Sequence, residues 1–216
     1  MELEEAKAEI TTGLKYLNSG NYAAGEASYR RVLQLYDSAA ASPGPAHKSH
    51  ALHCLGFCLS EQGQCEEGFR LLTESLNIKR NLVPGNKSNL AATLHVLGVC
   101  LSKQGKLEDA VRVLQEALGL ERTLNNKADI ARTLHVLGVC LSKQGKLEDA
   151  LTVLQEALEL RHSLGPNYKD STARTLHELG ICLSKQGKLE DALRVLQEAL
   201  GLERTLNNKE YTAASE

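Results

Sequence analysis

The chain has 216 residues, enough for one or two compact domains or one short array of repeats. It is 42% hydrophobic but only 4% aromatic and has no tryptophan, so its core must be built from leucine, valine, isoleucine and alanine. The net charge of −2 excludes a bulk attraction to nucleic acid or to membrane surfaces. No apolar run reaches the length of a membrane span, and the acidic N-terminus is neither a secretory signal nor a transit peptide. A cytoplasmic location is therefore expected.

The first two predicted helices lie within 6–37. Gly13 and Gly20 are separated by the same seven-residue interval as the glycines of the later copies described below. Glu9 and Thr12 stand where those later copies carry leucine. Polar residues at these places are typical of a terminal repeat with one side facing solvent.

One segment then recurs along the chain almost unchanged. Its copies are 94–110, 134–150 and 176–192, with an older, diverged copy at 52–68. Among the three close copies only Glu178 and Ile181 differ. Because one such repeat cannot bury its own apolar face, it must stack on its neighbours. The sequence therefore predicts a single array over 1–216.

Each repeat is predicted to contain two helices. From Leu94, apolar residues recur at i, i+3, i+4 and i+7, which is one face of a helix. Gly105 is expected to end this helix in the left-handed conformation. Glu108 and Asp109 then begin a second helix, with two carboxylates at its positive end. Small residues stand where the two helices should approach closely, at Gly98, Ala110 and Ala117.

The repeat boundaries follow from these turns. The five pairs are expected at approximately 6–37, 48–81, 90–124, 130–164 and 172–206, with 207–216 as the stub of a sixth.

The six cysteines favour neither a disulfide framework nor a metal site. Four of them occupy the same place in successive repeats, at Cys58, Cys100, Cys140 and Cys182. Neighbours in this row would be about 10 Å apart for packed helices, which is beyond the reach of a disulfide. They are expected to be small, buried, reduced residues. His50, Cys54 and Cys58 share one helix face, but Cys58 belongs to the buried row, so no metal is expected there.

A helix pair of about 34 residues or slightly more, with glycines and alanines at these intervals, resembles the tetratricopeptide repeat. The resemblance covers 6–208 and implies an all-α fold, a right-handed α-solenoid of five helix-turn-helix repeats. The longer period of 40 to 42 residues, and the long second helix with its Leu-Gly exit in 157–173, are similar to kinesin light chains. That subgroup often has two asparagines after the first-helix Thr-Leu, where this chain has pairs such as His95 and Val96. The peptide-holding asparagines of kinesin light chains are therefore absent.

The resemblance implies that the first helices line a concave groove that binds a peptide or helix of a partner protein. The chain would then be a scaffold or adaptor without enzymatic activity. Residues on the helix face away from the leucine stripe are expected to line the groove: His53, Phe57, His95, Val99, Lys103, Arg132, His135, Val139, Lys143, Arg174, His177, Ile181 and Lys185. A row of basic residues with apolar residues between them suits a peptide that bears carboxylates. Alternatively, Lys103, Lys143 and Lys185 only neutralise the C-terminal ends of helices.

A second function, structural self-assembly, is also open at this point. Leu193, Leu196 and Leu200 lie on the last complete helix, and the pair that would cover them is missing from the sequence. A homodimer through this C-terminal end is the simplest closed arrangement. No catalytic residue, cofactor or nucleic-acid partner is expected, because cysteine–histidine catalysis lacks a third orienting group, no phosphate-binding loop exists, and aromatic residues are too few to stack on bases.

Overall fold

The computed structural model of the chain describes residues 2–38, 44–82 and 87–213. These residues form ten α-helices and one 3₁₀ turn, at Pro166–Tyr168, and contain no strand. The helices are α1 (Glu2–Asn18), α2 (Tyr22–Ser38), α3 (Pro45–Glu61), α4 (Cys65–Asn81), α5 (Lys87–Lys103), α6 (Leu107–Leu124), α7 (Lys127–Lys143), α8 (Leu147–Leu164), α9 (Lys169–Lys185) and α10 (Leu189–Ala213). Five pairs result, in which the odd-numbered helix is the first and the even-numbered helix is the second. The predicted all-α class of five helix-turn-helix repeats is confirmed.

The chain divides into two compact units within α6, Met1–Val113 and Leu114–Glu216. In the first unit α1 packs on α2 and α3 on α4, while α2 packs on α3 and α4 on α5. Its core includes the fully buried Tyr29, Leu55 and Leu59. Aromatic rings thus enter a core that was predicted to be aliphatic.

The second unit repeats the same packing. Here α7 packs on α8 and α9 on α10, while α8 also packs on α9. The side chains of Leu134, Leu154 and Leu176 are completely buried. The second helices α2, α4 and α8 are therefore each held between their own first helix and the first helix of the next pair.

The turn inside each pair is made by a glycine in the left-handed region. Gly105 has a φ of 76° and Gly145 a φ of 79°, as predicted from the glycine positions. Around Gly145, its own N–H donates to the carbonyl of Ser142 and the N–H of Lys146 donates to the carbonyl of Leu141. This is the paired bonding of a Schellman motif, which satisfies the last carbonyls of the helix.

A second glycine, on the first helix, sits where the two helices of a pair touch. A Cβ atom added at Gly138 would lie 2.5 Å from Cγ of Leu154, and one added at Gly180 would lie 2.6 Å from Cγ of Leu196. Real Cβ atoms do not approach other carbons this closely. The hydrogen of glycine is thus required for the close approach that the sequence predicted.

The C-terminal stub differs from expectation. The helix α6 ends at Leu124, and Asn125 turns the chain with a φ of 53° into the N-terminus of α7. In α10 the same Asn-Asn-Lys sequence continues as helix, and the described residues stay helical through Ala213. A left-handed asparagine is costly, and no following helix packs on α10 in the described residues to compensate for it. Residues 214–216 of the predicted stub lie outside the described part of the chain.

The close glycine contact yields a stability prediction. We expect Gly138→Ala to lower the free energy of unfolding by about 1–3 kcal/mol, because the added methyl group overpacks against the buried Leu154. Urea denaturation monitored by circular dichroism measures the change.

Gly119→Ala is the matched control. Gly119 is also helical, in α6, but nothing lies within 4 Å of the added Cβ. This variant should gain about 0.5–1 kcal/mol from the better helix propensity of alanine. Equal effects of the two variants would contradict the requirement for a close approach at Gly138.

Candidate partner-binding face

The predicted site residues of α7 lie on the side of the helix that faces away from α8. We call this side of each first helix its open face. On α7, Arg132 and Lys143 are exposed, whereas His135 and Val139 are half-buried between them. The other side of the helix carries the buried leucines and Gly138. The predicted phasing of α7 thus agrees with its burial.

The open face of α9 repeats this order. Arg174 and Lys185 are exposed near its two ends, His177 is exposed, and Ile181 is half-buried. Because α7 and α9 contact each other, the two open faces are neighbours. Glu178, one of the two changed residues of this copy, is half-buried next to His177.

The first unit presents a less basic version of the face. On α3, His53 and Phe57 are half-buried, and the Phe57 ring packs edge-on against Tyr22 at a centroid distance of 5.7 Å. On α5, Val99 is half-buried, but His95 is only 7% exposed. The side chain of His95 is therefore largely enclosed and presents little surface to a partner.

Lys103 is engaged with the preceding pair. Its Nζ donates to the backbone carbonyl of Ser60 at 2.9 Å and to Oε1 of Glu61 at 2.8 Å. Both acceptors lie at the C-terminal end of α3, where a cation is favourable. In the second unit, Nζ of Lys185 lies 3.4 Å from Oγ of Ser142, near the end of α7. These contacts match the alternative interpretation, in which the lysines neutralise the C-terminal ends of helices. The difference is that Lys103 and Lys185 each reach the end of the preceding first helix, not the end of their own.

The two arginines are held by acids on their own helices. Arg132 pairs with Asp129 at 2.7 Å, and Arg174 pairs with Asp170 at 2.9 Å. The arginine side chains are 51% and 71% exposed. Exposed pairs of this kind contribute only about 0.3–0.5 kcal/mol, so the arginines can exchange these partners at little cost.

His135 belongs to a buried polar junction between pairs. Its Nδ1 lies 3.3 Å from Oγ1 of Thr175 on α9. The same hydroxyl accepts a hydrogen bond from the guanidinium of Arg161 on α8, which also donates to the carbonyl of Ser171. Arg161 is only 6% exposed. Burial, and then the charge of Arg174, lowers the pKa of Arg161 to about 10.

The first unit contains the same junction with a different cation. Nζ of Lys79 on α4 donates to Oγ1 of Thr93 at 2.6 Å, and Nδ1 of His53 lies 3.1 Å from that oxygen. Lys79 is 3% exposed, and burial lowers its pKa to about 8.

At the junction of α6 with α7 the charge is reversed. Glu121 is 2% exposed, and its Oε1 accepts a hydrogen bond of 2.9 Å from the hydroxyl of Thr133. Its Oε2 has no partner among the described atoms, and burial raises the pKa of this carboxyl. A threonine hydroxyl can donate as well as accept, so the same residue serves either sign of charge.

These junctions were not predicted from the sequence. The signal was present as a charged residue at one fixed place of the second helices α4, α6, α8 and α10, namely Lys79, Glu121, Arg161 and Glu203. A threonine precedes the histidine by two residues in each following first helix, at Thr93, Thr133 and Thr175.

The surroundings of His135 determine its charge. Burial, followed by the charges of Arg161 and Arg174, lowers the pKa of His135 to about 4. The imidazole is therefore neutral at physiological pH. The positive charge on the open face of α7 comes from Arg132 and Lys143 alone.

A cleft of about 320 Å³ opens in the second unit. Its walls are formed by His135, Arg174, His177, Glu178 and Glu203. Both signs of charge meet there, because Glu178 replaces the valine of the earlier copies and Glu203 comes from α10. Around α9 the face is therefore less basic than the arginine and lysine positions alone suggest.

The predicted self-association residues lie on α10. Leu193 is 59% exposed and Leu200 is 45% exposed, whereas Leu196 is half-buried beneath Gly180. Leu189 at the start of the helix is also exposed. Among the described residues, α10 thus carries the largest group of exposed leucines.

All six cysteines are free thiols, and five of them are buried; Cys65 is half-buried. Burial raises the pKa of Cys54 and of Cys100 to about 11 and that of Cys58 to about 12. They are protonated at neutral pH, where a thiol is a poor nucleophile. Within the described ranges, no group of three or more histidine, cysteine or acidic side chains is arranged to hold a metal ion. None of the described helices combines the length and apolar character needed to cross a membrane.

Comparison with known proteins agrees with this architecture. A family model described as the tetratricopeptide repeat matches residues 48–122 and 129–204. No curated protein sequence matches the chain.

Solved structures with similar folds share little sequence with this chain. BtubC (BKLC) from P. vanneervenii superimposes with a TM-score of 0.78 at 18% identity, over 93% of this chain and 80% of that one. A P. anserina protein named for the kinesin light chains, with nearly identical TPR-like repeats, superimposes with a TM-score of 0.75. The identity is 16%, over 94% of this chain and 97% of that one. The Rap conjugation gene regulator of plasmid pLS20, in complex with the Phr* peptide, superimposes with a TM-score of 0.73. The identity is 20%, over 99% of this chain and 57% of that one. At these identities the likeness shows the fold alone.

The buried environment of His135 predicts acid sensitivity. Between pH 6.5 and about 4 the unfolded chain binds a proton at this residue and the folded chain does not, so the free energy of unfolding falls as the pH is lowered through this window. In the His135→Asn variant, we expect the free energy of unfolding to fall less steeply as the pH is lowered. Urea denaturation at several pH values across the window measures both slopes.

His177→Asn is the matched control, because His177 has the same place in the next repeat but an exposed ring. It should keep the slope of the unmodified chain. If His135→Asn also keeps that slope, the described surroundings do not hold His135 neutral.

Proposed function

The chain belongs to the tetratricopeptide repeat family, and from this premise we propose that it is a protein–protein interaction scaffold. It holds an extended or helical segment of a partner protein on the open faces of its first helices. The complex of the similar Rap regulator with the Phr* peptide supports a peptide as the form of the ligand. No catalytic step is part of this function.

One observation carries the proposal. On both α7 and α9, an exposed arginine and an exposed lysine flank a histidine and a half-buried aliphatic residue, Val139 or Ile181. Arg132 and Lys143 are separated by about 16 Å along the helix axis at 1.5 Å per residue. A partner segment can therefore place an apolar side chain between two charged anchor points on each helix.

The charges favour a partner with acidic side chains. Arg132 and Arg174 pair with acids one turn away on the same helix, the half-buried Asp129 and the exposed Asp170. A partner carboxylate can replace these acids and accept two parallel hydrogen bonds from a guanidinium. Since Lys103 is already bound to the end of α3, the second unit supplies most of this recognition.

The proposal predicts a preference among peptides. A display library of random peptides, selected on the immobilised chain, should become enriched in aspartate and glutamate over lysine and arginine. The double variant Arg132→Glu with Arg174→Glu should lose at least ten-fold in affinity for a selected peptide, since attraction becomes repulsion. Fluorescence anisotropy measures the affinity, which should also fall with added salt because exposed charges are screened over about 8 Å at physiological ionic strength.

Arg112→Glu with Arg194→Glu is the matched control. These arginines lie on the second helices α6 and α10, are 78% exposed, and pair with an aspartate three residues earlier just as Arg132 does. The change in net charge is identical, so this variant should bind selected peptides like the unmodified chain. Equal losses in both double variants, or none in either, would contradict binding at the open faces.

Self-assembly through α10 is the second candidate, because Leu189, Leu193 and Leu200 are exposed on one helix. It predicts a mass that rises with concentration in sedimentation experiments and returns to the monomer in Leu193→Lys with Leu200→Glu. A single monomer mass at every concentration would contradict this candidate.

A further inference from the structure

The last helix repeats the sequence of a helix that is covered elsewhere in the same chain. Residues 189–206 of α10 are identical to 107–124 of α6 except that Leu193 replaces Val111. The two sequences must therefore present nearly the same face. What covers this face on α6 indicates what fits on α10.

On α6 the face is closed by the following first helix. Leu118 is 7% exposed and Glu121 is 2% exposed, and the hydroxyl of Thr133 on α7 donates to the Glu121 carboxylate at 2.9 Å. The α8 helix is covered by α9 in the same way, with Leu151 only 8% exposed and Thr175 bound to Arg161.

On α10 the same places are open. Leu200, the counterpart of Leu118, is 45% exposed, and Leu193, the counterpart of Leu151, is 59% exposed. Glu203, the counterpart of Glu121, is exposed as well. Because α10 continues as helix through Ala213, residues 207–213 do not turn back over this face.

We propose that this face of α10 is a docking site for a helix of another protein that has the pattern of a first helix: leucines in register with Leu193 and Leu200, and a threonine or serine hydroxyl that donates to Glu203. The apolar contact supplies affinity, since buried apolar area contributes about 25 cal/mol per Å². The hydroxyl supplies register, because a carboxylate enclosed by the docked helix needs a hydrogen-bond donor. This inference goes beyond binding at the open faces, as it concerns a different helix and a different surface.

A second copy of the chain does not offer such a helix. The same face of its α10 would present Glu203, not a hydroxyl donor. Its α1 has Ala8 at the place of Thr133, Glu9 at the place of Leu134 and Thr12 at the place of the next leucine. The other first helices that the structure describes already pack on the second helix of the pair before them. A partner with the first-helix pattern therefore fits better than self-association.

The probe for this inference is the chain's own α7 sequence. A fluorescent peptide of residues 127–143, with blocked ends and under reducing conditions, is titrated with the full chain and followed by anisotropy. We expect saturable binding that falls at least ten-fold in Leu193→Lys with Leu200→Glu. Leu14→Lys, at a leucine of α1 that is 40% exposed, is the control and should bind like the unmodified chain.

A second peptide tests the hydroxyl. It carries Thr133→Val together with Val139→Thr, so that its composition is unchanged while the hydroxyl moves to the open face of the helix. It should bind the unmodified chain about ten-fold more weakly, the usual size for a lost hydrogen bond to a charged group. The preference for the unmodified peptide over this second peptide should vanish in the Glu203→Leu variant of the chain. It should persist in Glu203→Lys, because Thr93 accepts a hydrogen bond from Lys79 at the equivalent place.

Three results would overturn the inference. Equal binding of both peptides to the unmodified chain would show that Glu203 does not select a hydroxyl. A dimer that forms without peptide and is not dissociated by it would show that a second copy occupies the face. Loss of peptide binding in Arg132→Glu with Arg174→Glu would place the peptide on the open faces, whereas binding kept in that variant separates this site from the proposed function.

Discussion

A hydrogen atom in place of a methyl group determines how closely the two helices of a pair approach. At Gly56, Gly138 and Gly180 the backbone of the first helix rests on a leucine of the second helix, at distances that leave no room for a Cβ atom. The contact fixes which side of the first helix is buried, and hence which side is open. Since the glycine and its leucine recur in each copy, the open faces of α7 and α9 carry equivalent side chains in equivalent places. The candidate binding face is thus a consequence of the packing inside each pair.

Local features of the fold could be predicted from the sequence because they depend on residues close together in the chain. The turn at Gly145 requires one glycine in the left-handed region, and the burial of Leu134 follows from its helical spacing. Even the half-buried position of Val139 follows from the same spacing.

The polar contacts could not be predicted, because their partners are distant in sequence. His135 meets Thr175 forty residues later, and Lys103 reaches the helix end at Ser60. Spacing alone made all the histidines look alike, yet His95 is enclosed and His177 is exposed. Their difference depends on which side chains of the neighbouring pair lie above them.

The threonine of each junction has a consequence for how an array of this type can change in length. Its hydroxyl binds a lysine at one junction, a glutamate at another and an arginine at a third. Each of α4, α6 and α8 can consequently be followed by α5, α7 or α9 without creating a repulsive contact at this place. Recombination between near-identical copies in the gene could then add or remove a whole repeat, and the new neighbours would still be compatible. The hydroxyl makes the repeats interchangeable in order as well as similar in sequence.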